Sequence, residues 1–251
     1  MLVARNRKNL EAVAAELRDK SRVEIFPMDV SDADSCVDLV KKTQFEFGGI
    51  DVLVNNAGFQ ARGYVESVSA EDLGRTIDVN LRAPIMLTRL VLPYIREAGG
   101  GAIINVASLA GRTPVPGSAA YSASKFGLRA FTFSLAEELR DSGIKLAVVS
   151  PGPISTQFIL ADIDKTSDLT LSQPMSSAED VAQAILDLCG NNERELAMPA
   201  ISGVLTTVSY LMPWLGRALR PALERRGSRV KMEFKAKAKA KAKAAASETS
   251  T

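Results

Sequence analysis

The sequence contains no histidine. That absence excludes Ser-His-Asp and Cys-His nucleophilic machinery and every metal site that needs imidazole. Acid–base chemistry near neutral pH must then come from a Tyr, Lys or carboxylate whose pKa its surroundings have moved. Cysteine is scarce as well. Cys36 and Cys189 stand far apart, in no metal or redox spacing, and read as reduced thiols of a reducing compartment. Met1-Leu2-Val3-Ala4 is too short for the apolar region of a secretory signal before charge intervenes, so a cytoplasmic location is expected. Acidic residues run out toward the end of the chain. From Arg217 onward there are eleven Lys/Arg against three Asp/Glu, whereas residues 1–216 carry twenty basic and twenty-six acidic side chains. An acidic body with a basic tail is not the footprint of a nucleic-acid-binding fold, so no nucleic-acid partner is expected. It does allow a tail that touches an anionic surface.

What is present suits one α/β domain. The 251 residues are 46% hydrophobic and 24% charged, which is ordinary for a globular chain able to bury a sizeable core. Leu2-Val3-Ala4 reads as the end of a buried strand, and Leu10 to Lys20 as a helix with Leu10, Val13, Ala14 and Leu17 at helical spacing. Val23 to Val30 reads as a strand. Ser31 to Asp34 caps a helix running to about Phe47, and Asp51 to Asn55 is a strand ending in Asn55-Asn56-Ala57-Gly58. A long helix is expected from about Ala70 to Arg96. Ala102 to Val106 is another buried strand, followed by Ser108. The Tyr121 helix, the strand Lys145 to Val149 and Pro151-Gly152-Pro153 come next. Apolar strands alternating with amphipathic helices predict a Rossmann-like, doubly wound parallel sheet with helices on both faces. Ligands in such sheets bind at the carboxyl ends of the strands, where Arg5, Asp29, Asn55 to Gly58, Ser108 and Pro151 to Thr156 all fall.

The chemistry centres on Tyr121-Ser122-Ala123-Ser124-Lys125. Residues four apart share a helix face, so phenol and ammonium can point into one cleft. A nearby cation favours the phenolate, and such a pair can give and take a proton near neutral pH.

Later segments are less regular. Gln157 to Pro174 reads as a mobile lid or substrate loop. Ser177 to Asp180 caps a helix from Val181 to Leu188, and Glu195 to Pro199 looks like a last strand. Leu196 to Gly216 contains no charged residue, a run of 21. Pro199, Gly203, Pro213 and several Ser/Thr dilute it below a good bilayer span. A helix over the substrate cleft or at an oligomer interface, and an interfacial membrane helix, both fit. The expected division is a catalytic domain over 1–200, an apolar and basic segment over 201–230, and a Lys/Ala-rich tail over 231–251. The tail reads as disordered or a solvated helix, with an electrostatic lipid anchor as its functional reading.

The ordered set of motifs resembles the classical short-chain dehydrogenase/reductase family over roughly residues 1–200. The matching stretches are Asn55-Asn56-Ala57-Gly58, Val79-Asn80-Leu81, Asn105-Val106-Ala107-Ser108, Tyr121-x-x-x-Lys125 and Pro151-Gly152-Pro153-Ile154-x-Thr156. The resemblance implies NAD(P)-dependent hydride transfer between a cofactor and a small-molecule carbonyl or alcohol. Tyr121 would be the proton donor, Lys125 would lower its pKa and hold the nicotinamide ribose, and Ser108 would hydrogen-bond the substrate oxygen. Asn80 would position a water leading from Lys125. Asn56, Ala57 and Gly58 would let the backbone approach the adenosine half, Asp29 with Val30 would bind the adenine edge, and Pro151, Gly152, Ile154 and Thr156 would enclose the nicotinamide. The end of the Leu2–Ala4 strand lacks the carboxylate that would favour NAD and offers Arg5 with Arg7 close by, which suits the 2′-phosphate of NADP. The pocket would be built from Gly111 to Ser118, the loop after Thr156 and the segment after Pro199. Apolar Ile159, Leu160, Leu211, Met212 and Trp214 there suggest a lipophilic ketone. Family resemblance also implies a homo-oligomer.

One departure accompanies the match. The family's first strand and glycine-rich turn, which places pyrophosphate on a helix N-terminus, have no counterpart before Leu2. The expectation is a sheet lacking its central strand and weak cofactor binding by these 251 residues. A non-catalytic protein of the same fold, acting as a binding or membrane-surface subunit, is therefore a second expectation.

Overall fold

The computed structural model describes the backbone of residues 1–160 and 162–248, and side chains within those spans except at 157, 160 and 237–248. In chain order the elements are β1 (Leu2–Ala4), α1 (Arg7–Leu17), β2 (Ile25–Pro27), α2 (Ala33–Phe47), β3 (Val52–Asn55), α3 (Ala70–Ile77), α4 (Ala83–Glu97), β4 (Gly101–Val106), α5 (Ala119–Glu138) and β5 (Ile144–Pro151). There follow α6 (Gln157–Leu160), α7 (Asp168–Leu171), α8 (Ala178–Gly190), β6 (Glu195–Met198), α9 (Ala200–Leu211) and α10 (Pro213–Glu248).

Local chemistry explains most boundaries. Asn6 caps α1 through its side chain, Ser69 caps α3, and Ser177 with Asp180 forms a reciprocal capping box on α8, each satisfying amide donors that a helix start leaves open. Gly48 ends α2 in the left-handed conformation, φ 77°, where a side chain would be strained. The expected long helix over 70–96 is present with an interruption. A π-helical turn, Asp78–Arg82, joins α3 to α4 and swings Asn80 inward. Such turns are inserted residues that re-aim a side chain.

All strand pairs are parallel, in the orders β1-β2 and β3-β4-β5-β6. Alternate residues of β4 face opposite ways. Ile103 joins a core with α2 and α4 that includes Leu39, Val91 and Ile95. Ala102 and Ile104 join the other, against Val181, Ala184 and Leu188 of α8. Both faces of the sheet are thus covered, as near-continuous apolar strands require. Among the described residues no ladder hydrogen bond links β1 to β3. Both strands still pack on the first core through Val3 and Leu53. Val52 and Val54 on β3 are 48% and 40% exposed. This is the gap at the centre of the sheet expected above.

Polar residues pin the ends of the central strands. Asn55 and Asn105 are register partners on β3 and β4. Asn55 Nδ2 donates to Asn105 Oδ1 at 2.8 Å, and Asn105 Nδ2 donates to Thr132 Oγ1 of α5 at 2.8 Å. Buried amides with partners this well placed favour one register over its slipped alternatives.

The segment expected to be a lid carries α6 and α7, and the Lys-Ala repeat continues α10 as far as Glu248; residues 249–251 lie outside the described residues. No helix among the described residues is long and apolar enough to cross a membrane.

Two glycines give opposite expectations. A Cβ at Gly101 would lie 2.0 Å from the Asp51 carbonyl oxygen, whereas one at Gly74, inside α3, meets nothing within 4 Å. Gly101→Ala is expected to destabilise the fold by about 2 kcal/mol or more through overpacking. Gly74→Ala is expected to stabilise it by about 1 kcal/mol through helix propensity. Urea denaturation of the two variants checks both signs.

Candidate active site

The strand ends open into a cleft of about 1150 Å³. Asn56, Gly58, Ser108, Tyr121 and Lys125 line it, as do Pro151, Gly152, Ile154 and Thr156. Arg5, Asp29, Val30 and Ala57 surround a smaller hollow of about 60 Å³, and Gly58 borders both cavities. Apart from Asn80, each of these expected catalytic and cofactor-binding residues lines one of the two adjoining spaces.

Asn80 lies behind the wall, fully buried. Its Nδ2 donates to the Phe59 carbonyl at 2.7 Å and to Ser124 Oγ at 3.1 Å, and its Oδ1 accepts from the Phe59 amide at 2.8 Å. Ser124 Oγ in turn donates to the Tyr121 carbonyl at 2.7 Å. Both amide hydrogens of Asn80 are thus engaged. Its side chain ties the Phe59 end of the loop after β3 to the helix carrying Tyr121.

Lys125 is 4% exposed. Its Nζ donates to the Val106 carbonyl at 2.7 Å, its only hydrogen bond among the described residues, and lies 5.8 Å from the Tyr121 ring centroid. Burial lowers its pKa from 10.5 to about 8, because desolvation disfavours the ammonium. Tyr121 departs from expectation. Burial pushes its pKa up, and the opposing pulls of the Ser108 hydroxyl and the Arg62 guanidinium do not reverse that. The groups that oppose desolvation are Ser108 and Arg62, not the anticipated Lys125. Ser108 Oγ accepts from the Ala110 amide at 3.1 Å, which leaves its proton free to donate.

In the small hollow, Asp29 accepts from the Ser31 amide at 3.0 Å, from Ser31 Oγ at 2.7 Å and from Arg75 at 3.0 Å, and Arg5 stands 3.9 Å away. Burial alone would raise the Asp29 pKa; the bonds from Ser31 and Arg75 outweigh it and hold the carboxyl below its ordinary value. Arg75, whose guanidinium also covers the Phe59 ring at 4.9 Å, went unnoticed in the sequence. So did Arg62, which donates to the Phe158 carbonyl at 2.9 Å and pairs with Asp162 at 3.5 Å. Their partners lie 46 and about 100 residues away along the chain, and no local pattern announces such contacts.

The pocket walls also need one correction. Thr113 to Pro116 and Ile159 line the cleft as expected, but Leu211, Met212 and Trp214 do not. Those three are 72%, 44% and 60% exposed. The helical turn of α9 and α10 points them outward and brings Val208, Leu215 and Leu223 to the cleft. The side chain of Leu160 lies outside the described residues. α10 is held over the segment after Thr156 by Lys231, which donates to the Thr166 carbonyl at 2.8 Å and pairs with Asp168 at 3.4 Å.

The family model for short chain dehydrogenases matches residues 1–166. The chain belongs to the short-chain dehydrogenase/reductase family. It is 38% identical over 162 residues to the ketoacyl reductase HetN of a Nostoc species, covering 64% of this chain and 56% of HetN. It therefore spans little more than half the length of that relative. A metagenomic short-chain oxidoreductase solved in complex with NADP superposes with a TM-score of 0.65 at 31% identity, covering 78% of this chain and 82% of that one. A short-chain dehydrogenase from Streptomyces avermitilis gives 0.72 at 28% identity, covering 87% and 84%. As a member of this family the protein is an oxidoreductase with a Rossmann-like α/β fold.

The buried lysine has a thermodynamic consequence. Below pH 8 the folded protein holds a desolvated cation. Between pH 8 and 10.5 the unfolded chain binds the proton more tightly than the folded one, so stability rises with pH across that window. Lys125→Met is expected to raise stability near pH 7 by up to about 3 kcal/mol, with the gain vanishing by pH 10.5. Urea midpoints measured across that range check the sign.

Proposed function

We propose that the protein reduces a lipophilic ketone with NADPH. The observation carrying this is the placement of Ser108, Tyr121 and Lys125 together on one wall of a cleft otherwise lined largely by apolar side chains. A nicotinamide bound there would supply the hydride. Tyr121, kept protonated by its raised pKa, would give its proton to the substrate oxygen. Ser108 would donate a hydrogen bond to that oxygen as negative charge develops. Asn80 would hold the loop and the helix in register.

The cofactor's fit can be judged from Lys125. A buried ammonium has three donors, and here one is satisfied, by Val106. The free donors suit the hydroxyls of a ribose. Pro151 to Thr156 would enclose the nicotinamide, and Asp29 with Val30 and Ala57 would meet the adenine edge. Arg5, exposed beside the small hollow, suits a 2′-phosphate. The ketone assignment rests on the apolar walls and on the name of the ketoacyl reductase relative.

The second reading is a non-catalytic member of the family that serves as a binding subunit. NADPH fluorescence titration separates the two, because failure to bind at any attainable concentration would sink the reductase reading. If NADPH binds, Tyr121→Phe is expected to lower kcat for ketone reduction by about 10²–10⁴-fold while leaving NADPH affinity unchanged. Arg5→Asp is expected to weaken NADPH by about tenfold, through loss of a charge-assisted phosphate contact, and to leave NADH binding intact. Equal loss of both nucleotides would remove the case for NADP.

A further inference from the structure

The outer faces of α9 and α10 are unusually apolar. Ile201, Val204, Leu205, Tyr210, Leu211, Met212, Trp214 and Leu219 are between 44% and 72% exposed within nineteen residues. No acidic residue occurs between Glu195 and Glu224. Beside this patch α10 carries exposed Arg217, Arg225, Arg226 and Arg229. Exposed apolar patches of this kind mark interaction surfaces. Tyr and Trp with flanking arginines are the composition of a surface that lies in a bilayer interface. The patch is also continuous with the cleft, since Leu205 and Leu219 are exposed and line the cleft as well, while Val208, Leu215 and Leu223 line it from the same helices. Lys231 and Gly227 face the other way. Lys231 holds Thr166 and Asp168, and a Cβ at Gly227 would run into the Asp168 carbonyl. The inner side of α10 is thereby committed to the protein and its outer side is left free.

We propose that the α9–α10 elbow docks on an anionic lipid surface, with the mouth of the cleft opening toward the hydrocarbon. The apolar side chains enter the interface and the arginines engage lipid phosphates. A lipophilic compound dissolved in the membrane could then reach Ser108 and Tyr121 without crossing water. That last point rests on the reductase reading; the docking itself does not.

Trp214 is the only tryptophan in the chain, so its emission reports on the patch directly. With the full 251-residue protein and vesicles of phosphatidylcholine containing phosphatidylglycerol, Trp214 emission is expected to shift to the blue and to be quenched by brominated lipid. The response should weaken with phosphatidylcholine alone and at about 1 M salt, where charges are screened within about 3 Å. Val204→Glu with Leu211→Glu alters two exposed positions, keeps the reporter and is expected to abolish the shift. Phe45→Glu, at a position 86% exposed on α2, controls for loss of a surface hydrophobe and should bind like the parent. Replacing Arg225 and Arg226 with alanine should weaken binding by about tenfold or more, from the loss of two phosphate-facing charges. Emission that ignores lipid overturns the proposal. So does a blue shift that follows protein concentration in the absence of lipid, which would mean that a second copy of the chain covers the patch. Vesicle binding without ketone reduction would leave the docking standing and count against the catalytic reading alone.

Discussion

The candidate site depends on the side chain of one buried asparagine. Asn80 binds the Phe59 backbone through both its oxygen and its nitrogen, and reaches Ser124 on α5 with its second amide hydrogen. Three pieces of chain meet there: the loop after β3, the π turn between α3 and α4, and the helix bearing Tyr121 and Lys125. A regular α-helix over 70–97 would carry this side chain on a different face. The extra residue of the π turn turns it inward, and the buried hydrogen bonds offset the poorer helical geometry. Without this clamp, the fully buried Asn80 and Ser124 would be left with open polar groups in a dry interior.

The same dryness sets the chemistry. The wall that holds Lys125 against Val106 also holds Tyr121, and desolvation moves their pKa values in opposite directions, the lysine down and the phenol up. The two groups, nearly equal in water, are thereby pulled apart, the ammonium becoming the stronger acid and the phenol the weaker. The phenol is thereby kept protonated, as a proton donor must be, and the lysine keeps donors that Val106 leaves open. The arrangement is costly to the fold, as buried functional charges are, and polar groups placed for chemistry rather than stability mark a site.

Charge organises the far side of the cleft as well. Glu195 on β6 accepts a bidentate pair from Arg129 of α5 at 2.8 and 2.7 Å and a hydrogen bond from Ser150 at 2.6 Å, and it also pairs with Arg112. Arg112 continues to Thr207 on α9 at 2.8 Å. This cluster fastens α9 to the sheet and so decides which face of α9 meets the cleft. The outward display of Leu211 and Trp214 follows from that docking and from the turn into α10. The apolar run from Leu196 to Gly216 is amphipathic by placement more than by composition.

The alternation of apolar strands with amphipathic helices, the capping residues Asn6, Ser69 and Ser177, and the spacing of Tyr121 to Lys125 are local properties, and periodicity and hydrogen-bonding chemistry alone determine them. From these the parallel sheet and the convergence of Asn56, Ser108, Tyr121 and Pro151 at its carboxyl edge follow. What only the tertiary structure decided are the quantities set by partners distant along the chain. The inward turn of Asn80, the roles of Arg62 and Arg75, the upward shift of Tyr121 and the outward face of Trp214 each depend on which groups exclude water around a side chain. Desolvation and long-range pairing are properties of the packed molecule, and neither has a counterpart in the order of residues along the chain.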